Sequence, residues 1–452
     1  MAEHGNWSPR APQLLGIDVG TTNTKASVVG ADGRELAWAS VPTAWRGTPT
    51  GAEATAKDLL DGVLAAAAKA LEPAPPGLLA GVGVTSMAET AVWLSSEGQP
   101  MGPCVAWYDT RGADEASRLA SELAGFSRRT GLPASPMCTL GKLRWMAQLG
   151  ERPARVLSVA DWVVHALGGE QGFEVSLASR TGALDVPQRR WWPDALEWAG
   201  ARPGVLPTLV QAGWPAGKAQ VPLLGGAVLT SAGHDHLSAA VGAGVVRTDQ
   251  VLDSCGTAES LVRAVAPMDS STLEEAVAEG LAGGWHVLVG KGALLAGNPL
   301  GMLLGRVLRL LGIEGLDGAA ALDQRSATAS PGRLRVVTSG FFGDPVIEGL
   351  HACVSPEALW AAALDEVARQ VEGFLAALQR VAGPATELVL SGGWAHCDGL
   401  RRRKASWLPS VRWPEVREAG ARGAALFAGV AAGIFSGPTE FPPLAQRARA
   451  TI

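Results

Sequence analysis

The sequence predicts an α/β protein built from two domains of similar topology. Three observations carry that reading. Stretches of strand-like apolar pattern alternate with stretches of helical spacing. A strand, a polar Gly-Thr turn and a returning strand open the chain at Leu14–Val29, and the same unit recurs roughly 235 residues later at Gln250–Val265, a duplication at the scale of a domain. The length of 452 residues suits two or three domains, and the 47% hydrophobic content is ample for their cores.

Each element follows in order. Leu14–Asp18 is a strand, Val19–Thr24 a tight turn and Lys25–Val29 the returning strand. Glu35–Val41 is a third strand, after the turn Ala31-Asp32-Gly33. Thr55–Leu71 reads as an Ala-rich helix closed by Pro73 and Pro75. Ala80–Thr85 is a buried strand that runs into Met87-Ala88-Glu89-Thr90, and Val92–Leu94 is a further strand. Residues 112–215 read as mostly helical and irregular, with helical spacing over Arg111–Leu123 and Leu140–Gln148. Leu223–Ala232 returns to strand and ends in Gly233-His234-Asp235-His236, before a small-residue helix over Leu237–Gly244. The second unit is strand Gln250–Asp253, turn Ser254-Cys255-Gly256-Thr257 and strand Ala258–Val265. Pro356–Val381 is a long amphipathic helix, Glu387–Leu390 a strand into Ser391-Gly392-Gly393, and Ala421–Gly433 a small-residue helix. The tail, Pro438–Ile452, reads as a loose extension. A domain boundary falls near Gly242–Thr248.

Composition excludes several classes of function. With 38 Lys and Arg against 43 Asp and Glu, the net charge of −5 argues against a nucleic-acid partner, which needs a basic face. The five cysteines form no C-x-x-C pair, so neither a disulfide framework nor a structural zinc site is expected. Met1–Pro12 lacks an apolar signal core, and no uninterrupted apolar run reaches the ~18 residues of a membrane span. The expectation is a cytoplasmic protein with no membrane partner.

The candidate site residues cluster at strand ends. A Gly-Thr hairpin after a buried strand suits a phosphate, because glycine lets the main chain approach and successive N–H groups and hydroxyls point at the anion. Asp18 stands just before that turn, where a carboxylate can hold a hydrated Mg²⁺; the plain alternative is a β-hairpin with threonine in its turn. Gly256 and Thr257 repeat the arrangement, and two such hairpins can clamp one polyphosphate. Asp235 reads as a single carboxylate in a cleft, a general base on a hydroxyl, or as the N-cap of the next helix. A metal site at His-Asp-His is disfavoured, since adjacent residues rarely point at one ion. Gly392 and Gly393 can let an adenosine lie flat on the backbone, or simply make a strand-to-helix turn. Glu89 and Trp107 are candidate sugar contacts, a hydroxyl acceptor and an apolar platform. Asp109 and Arg111 read as an internal ion pair, and Arg401–Lys404 as a solvated helix face.

Taken in order, Gly16-Ile17-Asp18-Val19-Gly20-Thr21-Thr22, Trp107-Tyr108-Asp109-Thr110-Arg111, Gly233-His234-Asp235, Ser254-Cys255-Gly256-Thr257, Ser391-Gly392-Gly393 and Gly423-Ala424-Ala425 resemble the FGGY carbohydrate kinases, of the actin, hexokinase and heat-shock chaperone ATPase superfamily. The resemblance runs from about Leu14 to Gly433. It implies two RNase H-like domains, each a mixed five-stranded sheet flanked by helices, with a cleft between them. Residues 13–244 would hold the sugar and the first phosphate motif, and 245–436 most of the ATP. It implies ATP and Mg²⁺ as cofactors, Asp235 as the base and a second metal contact, and Asp18 at the metal. It places Gly20, Thr21, Thr22, Asn23 and Lys25 near the γ-phosphate, Gly256 and Thr257 at the β- and γ-phosphates, and Gly292, Gly297, Gly392 and Gly393 around the nucleotide. Met87, Ala88, Glu89, Trp107, Asp235 and His236 would meet the substrate.

The expected activity is ATP-dependent phosphorylation of a hydroxyl, by default a terminal primary one, on a small sugar, ketose, polyol or sugar acid, with a homodimer as the expected assembly. A regulatory protein that binds sugar or ATP on the same fold is the alternative. Ala88 stands where glycerol kinases carry Arg, and His236 where an amide or small residue usually follows the base. Trp394 stands where a third glycine of the adenosine turn is common.

Overall fold

The computed structural model describes residues 11–444, apart from 76, 257, 299 and 339–344. The opening segment forms β1 (Pro12–Val19), β2 (Asn23–Gly30) and β3 (Glu35–Pro42), joined antiparallel by tight turns. A helix, α1 (Ala56–Leu71), starts at Thr55, whose hydroxyl accepts from Asp58 N and caps the first turn. It leads to β4 (Leu78–Ser86), which returns parallel to β1. After an insertion of short helices, small two- and three-stranded sheets and irregular chain, β5 (Val228–His234) adds parallel to β4 and turns into α2 (Asp235–Gly242). The first sheet therefore runs β5-β4-β1-β2-β3.

The second half repeats this plan. Antiparallel β6 (Gln250–Cys255) and β7 (Glu259–Val265) are followed by β8 (Ala282–Trp285) and β9 (Gly292–Asn298). The long helix α3 (Pro356–Ala382), capped by Ser355, precedes β10 (Glu387–Ser391), which lies parallel to β6. Then come α4 (Asp398–Lys404), β11 (Ser410–Arg412) and α5 (Ala419–Ala431). The order is β8-β9-β7-β6-β10-β11, so this sheet has six strands rather than the expected five. The addition is β8, which pairs antiparallel with β9 and covers the backbone groups of what would otherwise be an edge.

The small-residue character of α5 has a packing cause. A Cβ on Gly16 of β1 would collide with Ala421 O, one on Gly83 of β4 with Ala424 O, and one on Gly81 would come within 2.6 Å of Ala428 O. The last α-helix among the described residues thus rides directly on the first sheet, and Ala421, Ala424, Ala425 and Ala428 are fully buried there. The tail is not loose where it is described. Phe441 meets Phe427 and Phe435 edge-on, with ring centroids 5.6 and 5.7 Å apart, and Pro442 O accepts from the buried Arg422 at 3.1 Å. No helix among the described residues is long and apolar enough to cross a membrane.

Candidate active site

Three parallel strands of the first sheet end together, and their carboxyl ends build one wall of a cleft, the usual place for ligands in such sheets. Asp18 lies near the end of β1, in register with Lys25 on β2 and Thr85 on β4. The Gly20–Asn23 turn is closed by Gly20 N–H donating to Asn23 O at 3.1 Å. Outside support holds it: Thr43 Oγ1 donates to Gly20 O at 2.8 Å and Trp45 Nε1 to Thr21 O at 2.7 Å. Trp107 Nε1 donates to Thr21 Oγ1 at 2.9 Å, which ties the expected sugar platform to the first phosphate turn.

Asp235 follows β5 as the first residue of α2, with His234 in the capping position. Its Oδ1 accepts from His236 N at 2.7 Å and lies 3.2 Å from His234 Nε2. Burial pushes its carboxyl up to about 7, against the pull of the His236 N–H, and Glu89 adds to the rise. Asp18 is likewise raised to about 7, first by burial and then by the charge of Asp235. Burial holds both His234 and His236 below the ordinary histidine range, so they are neutral. The turn into α2 brings one ligating atom from each of His234, Asp235 and His236 within 4.8 Å of one another, so their adjacency in sequence does not keep them apart as expected. Asp18 Oδ1 is buried and has no hydrogen-bond partner among the described residues. Two half-buried carboxylates, one raised by the charge of the other and carrying an orphaned oxygen, are a donor set suited to a hard divalent cation. Lys25 stands beside them and pairs with Glu418 at 2.7 Å.

The opposite wall comes from the second sheet. Gly256 follows β6, while Thr257 lies outside the described residues. Gly392 has φ 97°, and a Cβ there would approach Cys255 O to 2.7 Å; Gly393 faces open space. Gly297 sits near the cleft end of β9. Gly292 does not join it. It begins the same strand, paired with Val265 and Trp285, about 17 Å away at ~3.3 Å per residue, and lines no part of the cleft.

The cleft between these walls has a volume of about 2740 Å³. It gathers Asp18, Gly20, Thr21, Thr22, Asn23, Lys25, Met87, Ala88, Glu89, Trp107, Asp235 and His236 from one side with Gly256, Gly297, Gly392 and Gly393 from the other. Trp394 also lines it. The pair Asp109 and Arg111 is internal, 2.9 Å apart, with Glu53 as the second partner of Arg111.

Sequence reasoning missed three charged residues. Arg180 donates from Nε to Glu89 Oε1 at 2.7 Å, and no spacing links residues 91 apart. Glu418 holds Lys25. Lys404, expected on a solvated face, is fully buried and bonded to Asp253 and Glu259. Its ammonium fills the space among Asp253, Cys255 and Glu259, below the second glycine turn.

A model of the FGGY family of carbohydrate kinases, N-terminal domain, matches residues 13–242. The chain belongs to the FGGY family of carbohydrate kinases. It is similar to a glycerol kinase of Geobacter sp., 29% identical over 93% of this chain and 90% of that one. Against a gluconokinase of Bacillus subtilis it is 27% identical over 44% of this chain, spanning 40% of that protein. The fold matches that of a Plasmodium falciparum glycerol kinase solved with ADP, at TM-score 0.81 and 16% identity, over 97% of this chain and 94% of that one. The expected enzyme class is that of the family.

Proposed function

We propose that the chain transfers a phosphoryl group from ATP to a hydroxyl of a small sugar or polyol, with Asp235 as general base. The observation that carries this is the pair of raised carboxylates at the ends of β1 and β5, facing the glycine turns of the second sheet across one cleft. A carboxyl near 7 is matched to taking a proton from an alcohol as the bond to phosphorus forms. His236 N–H and His234 Nε2 hold Oδ1. The other oxygen of Asp235 is then the one to receive the proton.

Asp18 and Asp235 would hold Mg²⁺, and Gly256, Gly297, Gly392 and Gly393 would meet the nucleotide, where side chains would bar the backbone from close approach. Mg·ATP, when bound, supplies the phosphoryl group and offsets the charge that develops on it. Lys25 adds a fixed cation beside Asp18, held charged by Asp18 and Glu418. Trp107 supplies an apolar face beside the hydroxyl-accepting Glu89. Because the two walls belong to different domains, closing them would expel water and limit ATP hydrolysis.

The test is ADP release from Mg·ATP across glycerol, erythritol, pentuloses, hexuloses, pentitols and aldonic acids. Turnover with one acceptor, lost in Asp235→Asn, supports the reading. ATP binding with no turnover on any acceptor removes it.

A further inference from the structure

The basic run Arg401–Lys404 has two characters. Arg401 and Arg402 line the cleft, and Arg403 pairs with the half-exposed Asp365 at 2.7 Å. Lys404, the last residue of α4, turns the other way and is wholly buried. A charge at that depth persists only with partners. They come from both stems of the hairpin that carries Gly256. Asp253 Oδ2 on β6 lies 2.7 Å from Nζ, and Glu259 at the start of β7 accepts a second hydrogen bond. Cys255 pairs in register with Glu259. Its Sγ lies 3.7 Å from Nζ and donates to Asp253 Oδ1 at 3.4 Å.

The same ammonium belongs to the segment that follows the other glycine turn. Ser391 pairs with Ser254 in parallel register, so β10 delivers Gly392 against the backbone of Cys255. Gly393 then leads on to α4. The first turn of α4 is pinned by Asp323, whose Oδ2 accepts from Gly399 N at 2.9 Å. The helix is therefore held at one end by Asp323 and at the other by Lys404.

We infer that Lys404 is a positioning residue for the nucleotide, which locks the Gly256 turn at the phosphates to the Gly392–Gly393 turn under the adenosine. This deepens the kinase reading and rests on its placement of the nucleotide. Lys404 itself touches no ligand. It lies behind the cleft wall, which Cys255, Gly256 and Glu259 help to form. Two turns grip one ligand well only when the groups behind them fix their separation. Fixing it in the folded chain removes an ordering cost from binding. Adenosine meets one of the two turns, whereas ADP spans both, so the two ligands separate this role from a general support of the domain.

The experiment is calorimetric titration of adenosine and of Mg·ADP into wild type, Lys404→Met and the triple variant Asp253→Asn/Glu259→Gln/Lys404→Met. Steady-state kinetics and thermal melts accompany it. The triple variant removes the ammonium and both acids together and leaves no buried charge unpaired. It keeps the test available where Lys404→Met alone fails to fold.

Both variants should weaken Mg·ADP binding by about tenfold or more, with adenosine affinity and the acceptor KM changed less than about twofold. The KM for ATP should rise in step with the loss of ADP affinity. Equal losses for adenosine and ADP indicate a loosened domain and overturn the proposal, as does unchanged ADP affinity. Wild-type ADP affinity in the triple variant overturns it too, because the charge of the unpaired acids then accounts for Lys404→Met. ADP binding by wild type without turnover on any acceptor removes the kinase reading and leaves the titrations to decide the role of Lys404. Wild type that binds neither ligand removes both.

Discussion

Lys404 Nζ lies 2.7 Å from Asp253 Oδ2, joining α4 to the strand that carries the second glycine turn. Glu259 is the second partner, and all three side chains are buried. Both carboxylates hold the ammonium well above its usual range. Lys404→Met would leave two buried acids without their cation. Removing one partner of such a cluster costs about 3–5 kcal/mol. Denaturant unfolding should report a loss of that size.

The charge of Asp235 has a function that its shape does not. Asp235→Asn keeps the volume and removes the base. It should lower kcat by about 10²–10⁴-fold with the acceptor KM little changed. It also relieves the repulsion that Asp18 feels from Asp235. The melting temperature of the variant without ligand should therefore equal or exceed that of wild type, as differential scanning calorimetry would record.

Stability and activity should move in opposite directions with pH. Asp18 and Asp235 are raised from 3.8 to about 7, so between those values the folded chain binds more protons than the unfolded one. Their contribution to stability is fully present below about pH 4 and is lost as pH rises through 7. Glu174, pushed to about 7 by burial, adds in the same direction. The base, by contrast, works only when deprotonated. Melting temperature without ligand should fall, and kcat/KM should rise, as pH goes from 6 to 8.

The close packing of α5 on the first sheet makes Gly16 intolerant. Gly16→Val would drive two methyl groups into the backbone at Ala421, where relief requires moving the helix. Overpacking in a tight core costs about 1–3 kcal/mol and more when backbone must yield. Gly47, whose Cβ would meet nothing within 4 Å, is the control: Gly47→Ala should leave the melting temperature nearly unchanged.

Much of this was legible in sequence because the signals are local. The Leu14–Val29 hairpin, the Gly-His-Asp turn and Ser391-Gly392-Gly393 are short stretches whose strand and turn chemistry is written in consecutive residues. The two-domain plan was legible because the first of these recurs at Gln250–Val265. What was not legible depends on pairs distant in the chain. Glu89 with Arg180, Lys25 with Glu418 and Asp253 with Lys404 carry no spacing that relates them. Lys404 sits in a run of four basic residues, which by composition is a solvated face. The helix turns its fourth member inward, and only the sheet beneath supplies the acids. Gly292 stands among the nucleotide glycines in the family resemblance, but strand geometry puts it at the far end of β9. The edge strand β8 was hidden because Ala282–Trp285 is too rich in glycine to read as a strand.

The most direct measurement is the ADP-release assay with Mg·ATP and a panel of neutral polyols and ketoses, run beside Asp235→Asn. The account predicts strong turnover of at least one neutral acceptor and a loss of 10²-fold or more in the variant. Equal turnover by both proteins would contradict the assignment of Asp235, and ATP binding without turnover on any acceptor would contradict the kinase itself.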